Sequence, residues 1–237
     1  MCRAIAGCFD LPTIADADTG YGNAVNVHFT VRGFEQAGVS GIMIEDQVWP
    51  KRCGHMTGKA VISAEEAVEK IQAAAAARKN PEFVVMSRTD ALATHGLGEA
   101  IRRLNLFAEA GADLLFADAL LTVDDIQTVA RAVSKPLTVN MGFGIRQRTT
   151  TPLLSAAHLQ QLGVAVAIYP RLLTAAAIQG MYNAIDAFRQ MLATGEVIDR
   201  PDLLVSFEEL NELLGMAELR RLERHNRRGS SAGQSGS

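Results

Sequence analysis

Six short runs of nearly unbroken apolar residues recur along the chain, and each closes on polar side chains. They are LPTIADAD (residues 11–18), GIMIEDQ (41–47), FVVMSRTDA (83–91), LLFADA (114–119), PLTVNM (136–141) and VAVAIYP (164–170). Continuous rather than alternating hydrophobicity predicts strands covered on both faces, as in a parallel sheet. Helical stretches separate them. SAEEAVEKIQAAAAARK opens with Ser63 and Glu66 at capping-box spacing, and Ala37-Gly38 and Ala110-Gly111 close helices ahead of the next strand. After the sixth run come two longer helical patterns, AAAIQGMYNAIDAFRQMLATG and SFEELNELLGMAELRRLERH, the latter predicted as one helix from a Ser206 cap. The closing NRRGSSAGQSGS is too polar to bury a core and is expected to be a flexible tail.

Alternation of this kind predicts either a doubly wound sheet or a closed barrel of βα units. The strand ends favour the barrel. Five of the six runs finish on a group able to bind a metal or an anion: Asp16 and Asp18, Glu45, Arg88 and Asp90, Asp118, and Asn140. A barrel brings such ends to one face, whereas an open sheet strings them along an edge. Neither GYG at residues 20–22 nor GFG at 142–144 continues as a dinucleotide-binding loop. The expectation is an α/β (β/α)₈ TIM-type barrel over residues 1–200, about six of its eight units present, with a helical segment over 201–225 and the tail over 226–237. Six strands are two short of eight, and MCRAIAGCFD reads as the last turns of a helix, so an N-terminal part is expected to be absent from this chain.

Composition narrows the function classes. With 48% hydrophobic, 21% charged and only 5% aromatic residues in 237, the chain reads as a globular domain with an aliphatic core. A net charge of −3 leaves no basic field for nucleic acid. No apolar run reaches signal-peptide or membrane-span length. Three cysteines without repeated spacing argue against a disulfide framework or zinc ribbon and for a reduced, cytoplasmic setting.

Among the strand-end residues, Asp16 and Asp18 lie two apart and so point to one side of a strand. Two such carboxylates repel unless a cation or proton sits between them. A hard metal such as Mg²⁺, with Glu45 as third ligand, is one reading; turn or cap residues ahead of TGYGN is the other. Arg88 offers a planar fork for a substrate carboxylate, or an ion pair with Asp90 or Asp118. WPKRCGH, residues 49–55, places Cys53 among Lys51, Arg52 and His55. Cationic neighbours favour the thiolate and so a proton-transfer role over an inert small hydrophobe. Cys2 and Cys8 lack such neighbours and read as structural. His28 and His158 fall in helical patterns, His95 in a polar loop and His225 near the tail; none is paired as a zinc ligand.

ADADTGYGN, IEDQVWPKRCGHMTGK, SRTDA, FADA and VNM, in this order and spacing over residues 4–200, resemble the isocitrate lyase and phosphoenolpyruvate mutase superfamily. The resemblance implies a (β/α)₈ barrel, Mg²⁺ dependence with Mn²⁺ as a substitute, and enolate-like chemistry on 2-oxo or 2-hydroxy acids. It also implies a homotetramer whose C-terminal helices exchange between subunits. Residue by residue, it assigns Asp16, Asp18 and Glu45 to the metal site, Arg88 to the substrate carboxylate and Cys53 to the catalytic thiol. Gly54 and His55 match positions that hold the second product's carboxylate, Lys51 and Arg52 belong to a closing loop, and Asn140 and Asp118 face the substrate.

KRCGH separates branches of the superfamily, since phosphonate-handling members lack this cysteine. The expected activity is cleavage of a carbon–carbon bond in a 2-hydroxy di- or tricarboxylate, 2-methylisocitrate-like or dimethylmalate-like, to a 2-oxo acid such as pyruvate plus a succinate-like acid. Hydrolysis or decarboxylation of oxaloacetate is the alternative within enzymes, and an inactive truncated subunit the alternative outside them. Two departures bear on the substrate: Ala117-Asp118 stands where the nearest lyases carry a proline-glutamate pair, and NMGFGIRQRTTTPL replaces a glutamate-containing loop. The family also carries two further strands upstream, with another metal-shell acid.

Overall fold

Each strand of this protein pairs in parallel with the one before it in the chain, giving a six-stranded sheet in the order β1-β2-β3-β4-β5-β6. A doubly wound sheet reverses order partway, whereas a barrel advances by one strand at a time. The computed structural model describes residues 1–53, 58–148 and 150–231, and no side chain beyond 225. The strands are β1 (Ile14–Asp16), β2 (Gly41–Glu45), β3 (Val84–Thr89), β4 (Leu114–Ala117), β5 (Leu137–Asn140) and β6 (Val164–Ile168). All six fall inside the apolar runs, and each stops one or two residues before its run ends, so that β1, β2 and β5 close on Asp16, Glu45 and Asn140. The arrangement is a half-barrel over six of the eight units of a (β/α)₈ fold.

The connecting helices start where the sequence offers caps. Asn23 opens α2 (Ala24–Gln36) and Thr122 opens α6 (Val123–Ala132), each with a reciprocal capping box, while Ser63 opens α3 (Ala64–Ala77) by accepting from the Glu66 N–H. Ahead of α2, α1 spans Cys2–Ala6. Between α3 and α6 lie α4 (Ala91–His95) and α5 (Leu97–Glu109), so His95 ends a short helix rather than lying in a loop. Ser155 opens α7 (Ala156–Gln161). Ile42, Val85, Leu115 and Leu137, one per successive strand, are at most 1% exposed and pack with Leu104, Phe107, Ile126 and Val129 from the helices. That apolar layer makes the sheet a rigid base for its strand ends.

The chain divides into two units, Met1–Leu172 and Leu173–Ser237. The second is helical: α8 (Leu172–Thr194) enters it, followed by α9 (Phe207–Leu213) and α10 (Met216–Ser231). The single helix expected after Ser206 is thus two. Gly215, at φ 68°, takes the left-handed conformation that ends α9 and starts a new helix. Ser206 caps α9 with a full capping box to Glu209, and α10 runs on into the stretch read as a tail. No helix among the described residues is long and apolar enough to cross a membrane.

Candidate active site

The C-terminal ends of β1, β2 and β3 deliver acids and bases to one place. β1 stops at Asp16, whose Oδ1 accepts the Asp18 N–H at 2.9 Å, and Asp18 itself takes φ 50°. Strand alternation therefore does not align the two carboxylates, as the sequence implied. A tight left-handed turn does, and Asp16 serves it as a turn residue while keeping Oδ2 outward. Both aspartates meet the Lys51 ammonium, Asp18 at 2.6 Å and Asp16 at 3.7 Å, and Glu45 from the end of β2 adds a third contact at 3.4 Å.

Glu45 is 2% exposed, and its Oε1 has no hydrogen-bond partner among the described residues. Burial pushes its carboxyl up to about 7, against the pull of Arg88 and Lys51. A buried carboxylate with an orphan oxygen costs free energy unless a proton or cation satisfies it. Lys51 shows the counterpart: burial opposes its charge, but its bond to Asp18 and the charges of Glu45, Asp16 and Asp18 together raise its pKa. The three acids thus already gather round one cation position. Among the described residues no three His, Cys, Asp or Glu side chains stand together as a finished metal cage. Oxygen donors from two strand ends with an unsatisfied lone pair fit a hard divalent cation that keeps waters and takes few carboxylates.

Arg88, at the end of β3, realises both expected ion pairs at once. Its guanidinium bonds Asp90 at 2.9 and 3.1 Å and Asp118 at 2.6 Å, approaches Glu45 at 3.5 Å and lies over the Phe116 ring. Burial opposes its charge, but Asp118, Asp90 and Glu45 overcompensate and push its pKa upward. Asp118, 1% exposed, also accepts from Asn140 Nδ2 at 3.4 Å, which links the ends of β4 and β5 to the cluster. Asp90 is held in turn by Lys59 at 2.8 Å. Asp46, next to Glu45 but facing the other way, takes Thr89 Oγ1 at 2.6 Å, the Asp90 N–H at 2.9 Å and Arg103 at 3.0 Å, so it braces the β2 and β3 ends from behind.

Cys53 is partly buried, and its Sγ accepts from Arg171 Nη2 at 3.2 Å. A cationic neighbour is present in Arg171, which the sequence did not single out. Lys51 turns to the acids, and the main chain of Arg52 is bound by the Gln47 side chain. Gly54 and His55 lie outside the described residues. Arg148, from the rebuilt loop after β5, bonds Asn140 through both its side-chain and main-chain oxygens. Burial lowers its pKa, and the neighbouring Arg171 lowers it further. Sequence reasoning missed Arg148, Arg171, Gln47 and Lys59. Arg148 stands in NMGFGIRQRTTTPL, one of the two stretches that depart from the resemblance, which was the available signal; Arg171, just past β6, carried none. Cys8 is exposed and Cys2 partly buried against the core.

A sequential parallel sheet carrying acids, an arginine fork and a thiol at its C-terminal edge defines a barrel-type enzyme of carboxylate chemistry. The family profile described as phosphoenolpyruvate phosphomutase matches residues 1–189, and the chain belongs to that family. It is 42% identical over 224 residues to the 2,3-dimethylmalate lyase of Eubacterium barkeri, covering 94% of this chain and 75% of that enzyme. It is 39% identical over 206 residues to the 2-methylisocitrate lyase of Aeropyrum pernix, covering 86% of this chain and 64% of that enzyme.

Among solved structures, a 2,3-dimethylmalate lyase superposes with TM-score 0.83 and 31% identity over 100% of this chain and 76% of its own. An oxaloacetate acetylhydrolase in complex with 3,3-difluorooxalacetate gives TM-score 0.82 and 28% identity over 99% and 76%. A phosphonopyruvate hydrolase in complex with oxalate and Mg²⁺ gives 0.77 and 35% over 94% and 76%.

Proposed function

We propose that this protein is a Mg²⁺-dependent carbon–carbon lyase that splits a 2-hydroxy di- or tricarboxylate into a 2-oxo acid and a succinate-like acid. The observation that carries the reading is the convergence of Asp16, Asp18 and Glu45 on one cation position, beside the Arg88 fork. The resemblance of the chain to two lyases of this type supports the same reaction.

Asp16, Asp18 and Glu45 would hold the divalent cation, which when bound supplies Lewis-acid polarisation of the substrate's hydroxyl and adjacent carboxylate. Arg88 orients a carboxylate and stabilises charge as it develops, with Asp118 and Asn140 fixing the fork from the neighbouring strand ends. The hydroxyl proton passes to solvent water, the C–O bond becomes C=O, and the electron pair of the broken C–C bond passes to the α-carbon of the departing acid. Cys53 Sγ gives that carbon its proton, and the thiolate recovers one when the products leave. Gly54 and His55 follow Cys53 on the loop and would hold the second product's carboxylate, while Lys51 and Arg52 close the acid side.

The test is release of pyruvate or glyoxylate from a panel of 2-hydroxy di- and tricarboxylates with Mg²⁺. Cys53→Ser and Asp16→Ala should each lower the rate by about 10²-fold or more. No product from any acid, or equal rates in the variants, overturns the lyase reading. Oxaloacetate hydrolysis is the second reading, favoured by the likeness to the acetylhydrolase, and acetate plus oxalate from oxaloacetate would mark it.

The same family reading carries a cytoplasmic homotetramer with exchanged C-terminal helices. Met181, Ile185, Phe188 and Leu192 of α8 are exposed apolar side chains that such an exchange would cover, and sedimentation checks it.

A further inference from the structure

Gln47 lies two residues beyond β2 and is only 2% exposed. Its Nε2 donates to the Arg52 carbonyl at 2.9 Å, and its Oε1 accepts the Arg52 N–H at 2.9 Å. The amide thus copies the paired bonds of a β ladder onto a residue that belongs to no strand. The Gln47 main chain is held separately, by an antiparallel bridge to Val61. Val48 N–H to Ala60 C=O and Ile62 N–H to Asp46 C=O, each at 2.9 Å, flank that bridge. Main-chain bonds close the base of the segment, and one side chain reaches inside it.

Arg52 stands between the two residues of this segment that touch the site. Its N–H belongs to the planar peptide shared with Lys51, and its carbonyl to the planar peptide shared with Cys53. Fixing both groups therefore orients both flanking peptide planes. Lys51 then reaches Asp18 at 2.6 Å, and Cys53 Sγ meets Arg171 at 3.2 Å. The Arg52 guanidinium packs close to Gly58, where an added Cβ would meet Nη1 at 2.8 Å. The clamped residue thus also contacts the returning arm of the segment.

We infer that Gln47 is a positioning residue that sets Lys51 and Cys53 at the strand ends through the two peptide groups of Arg52. The inference rests on the reading of Cys53 as the proton donor. Gln47→Met keeps length and volume but offers neither bond. Gln47→Glu keeps the acceptor for the Arg52 N–H and, as a carboxylate, loses the donor to its carbonyl.

The experiment compares kcat, KM and the rate of Cys53 alkylation by iodoacetamide at one pH, in a Cys2→Ser, Cys8→Ser background where Cys53 is the sole thiol, with folding followed by circular dichroism. Gln47→Met should lower kcat about 10- to 100-fold with KM moved far less, since two buried hydrogen bonds that hold the reacting groups are lost. Alkylation should quicken in the same variant, and Gln47→Glu should fall between it and the parent on both readouts. A folded Gln47→Met with parental kcat and parental alkylation, altered only in melting temperature, reduces Gln47 to a structural tie and overturns the inference. If Gln47→Met does not fold, alkylation of Gln47→Glu at the parental rate overturns it equally. Should the parent release no 2-oxo acid from any substrate, the lyase reading fails while the alkylation order still decides whether Gln47 places Cys53.

Discussion

Lys59 and Lys51 both put an ammonium against strand-end acids, and they do so on opposite terms. Lys59 meets Asp90 at 2.8 Å with the two side chains 2% and 0% exposed, and Arg88 binds the same carboxylate from the other side. Lys51 is 26% exposed and stands between Asp16, Asp18 and Glu45, the last of which Arg88 also approaches at 3.5 Å and which keeps an orphan oxygen among the described residues. Around Asp90 cations match anions and the cluster is closed. Around Lys51 negative charge is in excess. A dry, balanced cluster supports the scaffold, whereas an excess of carboxylate persists only where a proton or a further cation has a use.

Breaking the balanced cluster should have the largest effect on stability. Lys59→Met removes a buried partner from Asp90, and urea denaturation should show a loss of about 3 kcal/mol, the lower end for a broken buried pair because Arg88 remains. A loss under 1 kcal/mol would erase the distinction between the lysines. Divalent cation should act on the other cluster alone. Saturating Mg²⁺, at about 100 times its dissociation constant, should add about 2.7 kcal/mol to the parent and far less to Asp16→Ala, read from melting curves with and without EDTA.

Glu45 gives the same contrast a pH dependence. Its folded-state pKa of about 7 stands above the ordinary carboxylate value of 4.5, so between those pH values the folded protein holds the extra proton. Stability in EDTA should therefore fall as pH rises through that window and level off above it, by roughly 2 kcal/mol between about pH 5 and about pH 7.5. Glu45→Gln should flatten this fall, which urea curves at pH 5 and pH 7.5 would reveal. The smallest effect belongs to Lys51→Met, below about 1 kcal/mol, because its aspartate partners are substantially solvated. A loss equal to that of Lys59→Met would show Lys51 to be a second scaffold pair.

Much of this was legible in the chain. Buried parallel strands announce themselves as continuous apolar runs, and all six were found where those runs lie, since covering both faces leaves no polar positions to blur the signal. Helix starts followed Ser63 and Ser206 because a capping side chain serves backbone groups a few residues away. Less legible was any geometry set by a local backbone reversal. Asp18 turns left-handed and comes to Lys51 by that turn rather than by strand alternation, and Gly215 cuts one expected helix into two.

The site divides in the same way. Asp16, Glu45, Arg88, Asp118 and Asn140 could be named in advance because each sits at the end of a run, and a sequential parallel sheet carries successive strand ends to one edge. Arg171 against Cys53, Gln47 on Arg52 and Lys59 on Asp90 could not. The first joins residues 118 positions apart and the last 31 apart, while Gln47 and Arg52, only five apart, meet through a side chain reaching across a loop.

By itself, then, the sequence determined which segments become strands, where their helices begin and which strand-end groups are chemical, because hydrophobic periodicity and capping act over a few residues. Only the tertiary structure decided which lysine is balanced and which is outnumbered, and which arginine faces the thiol. Charge pairing depends on distance and burial in space, and neither is written in the local order of residues.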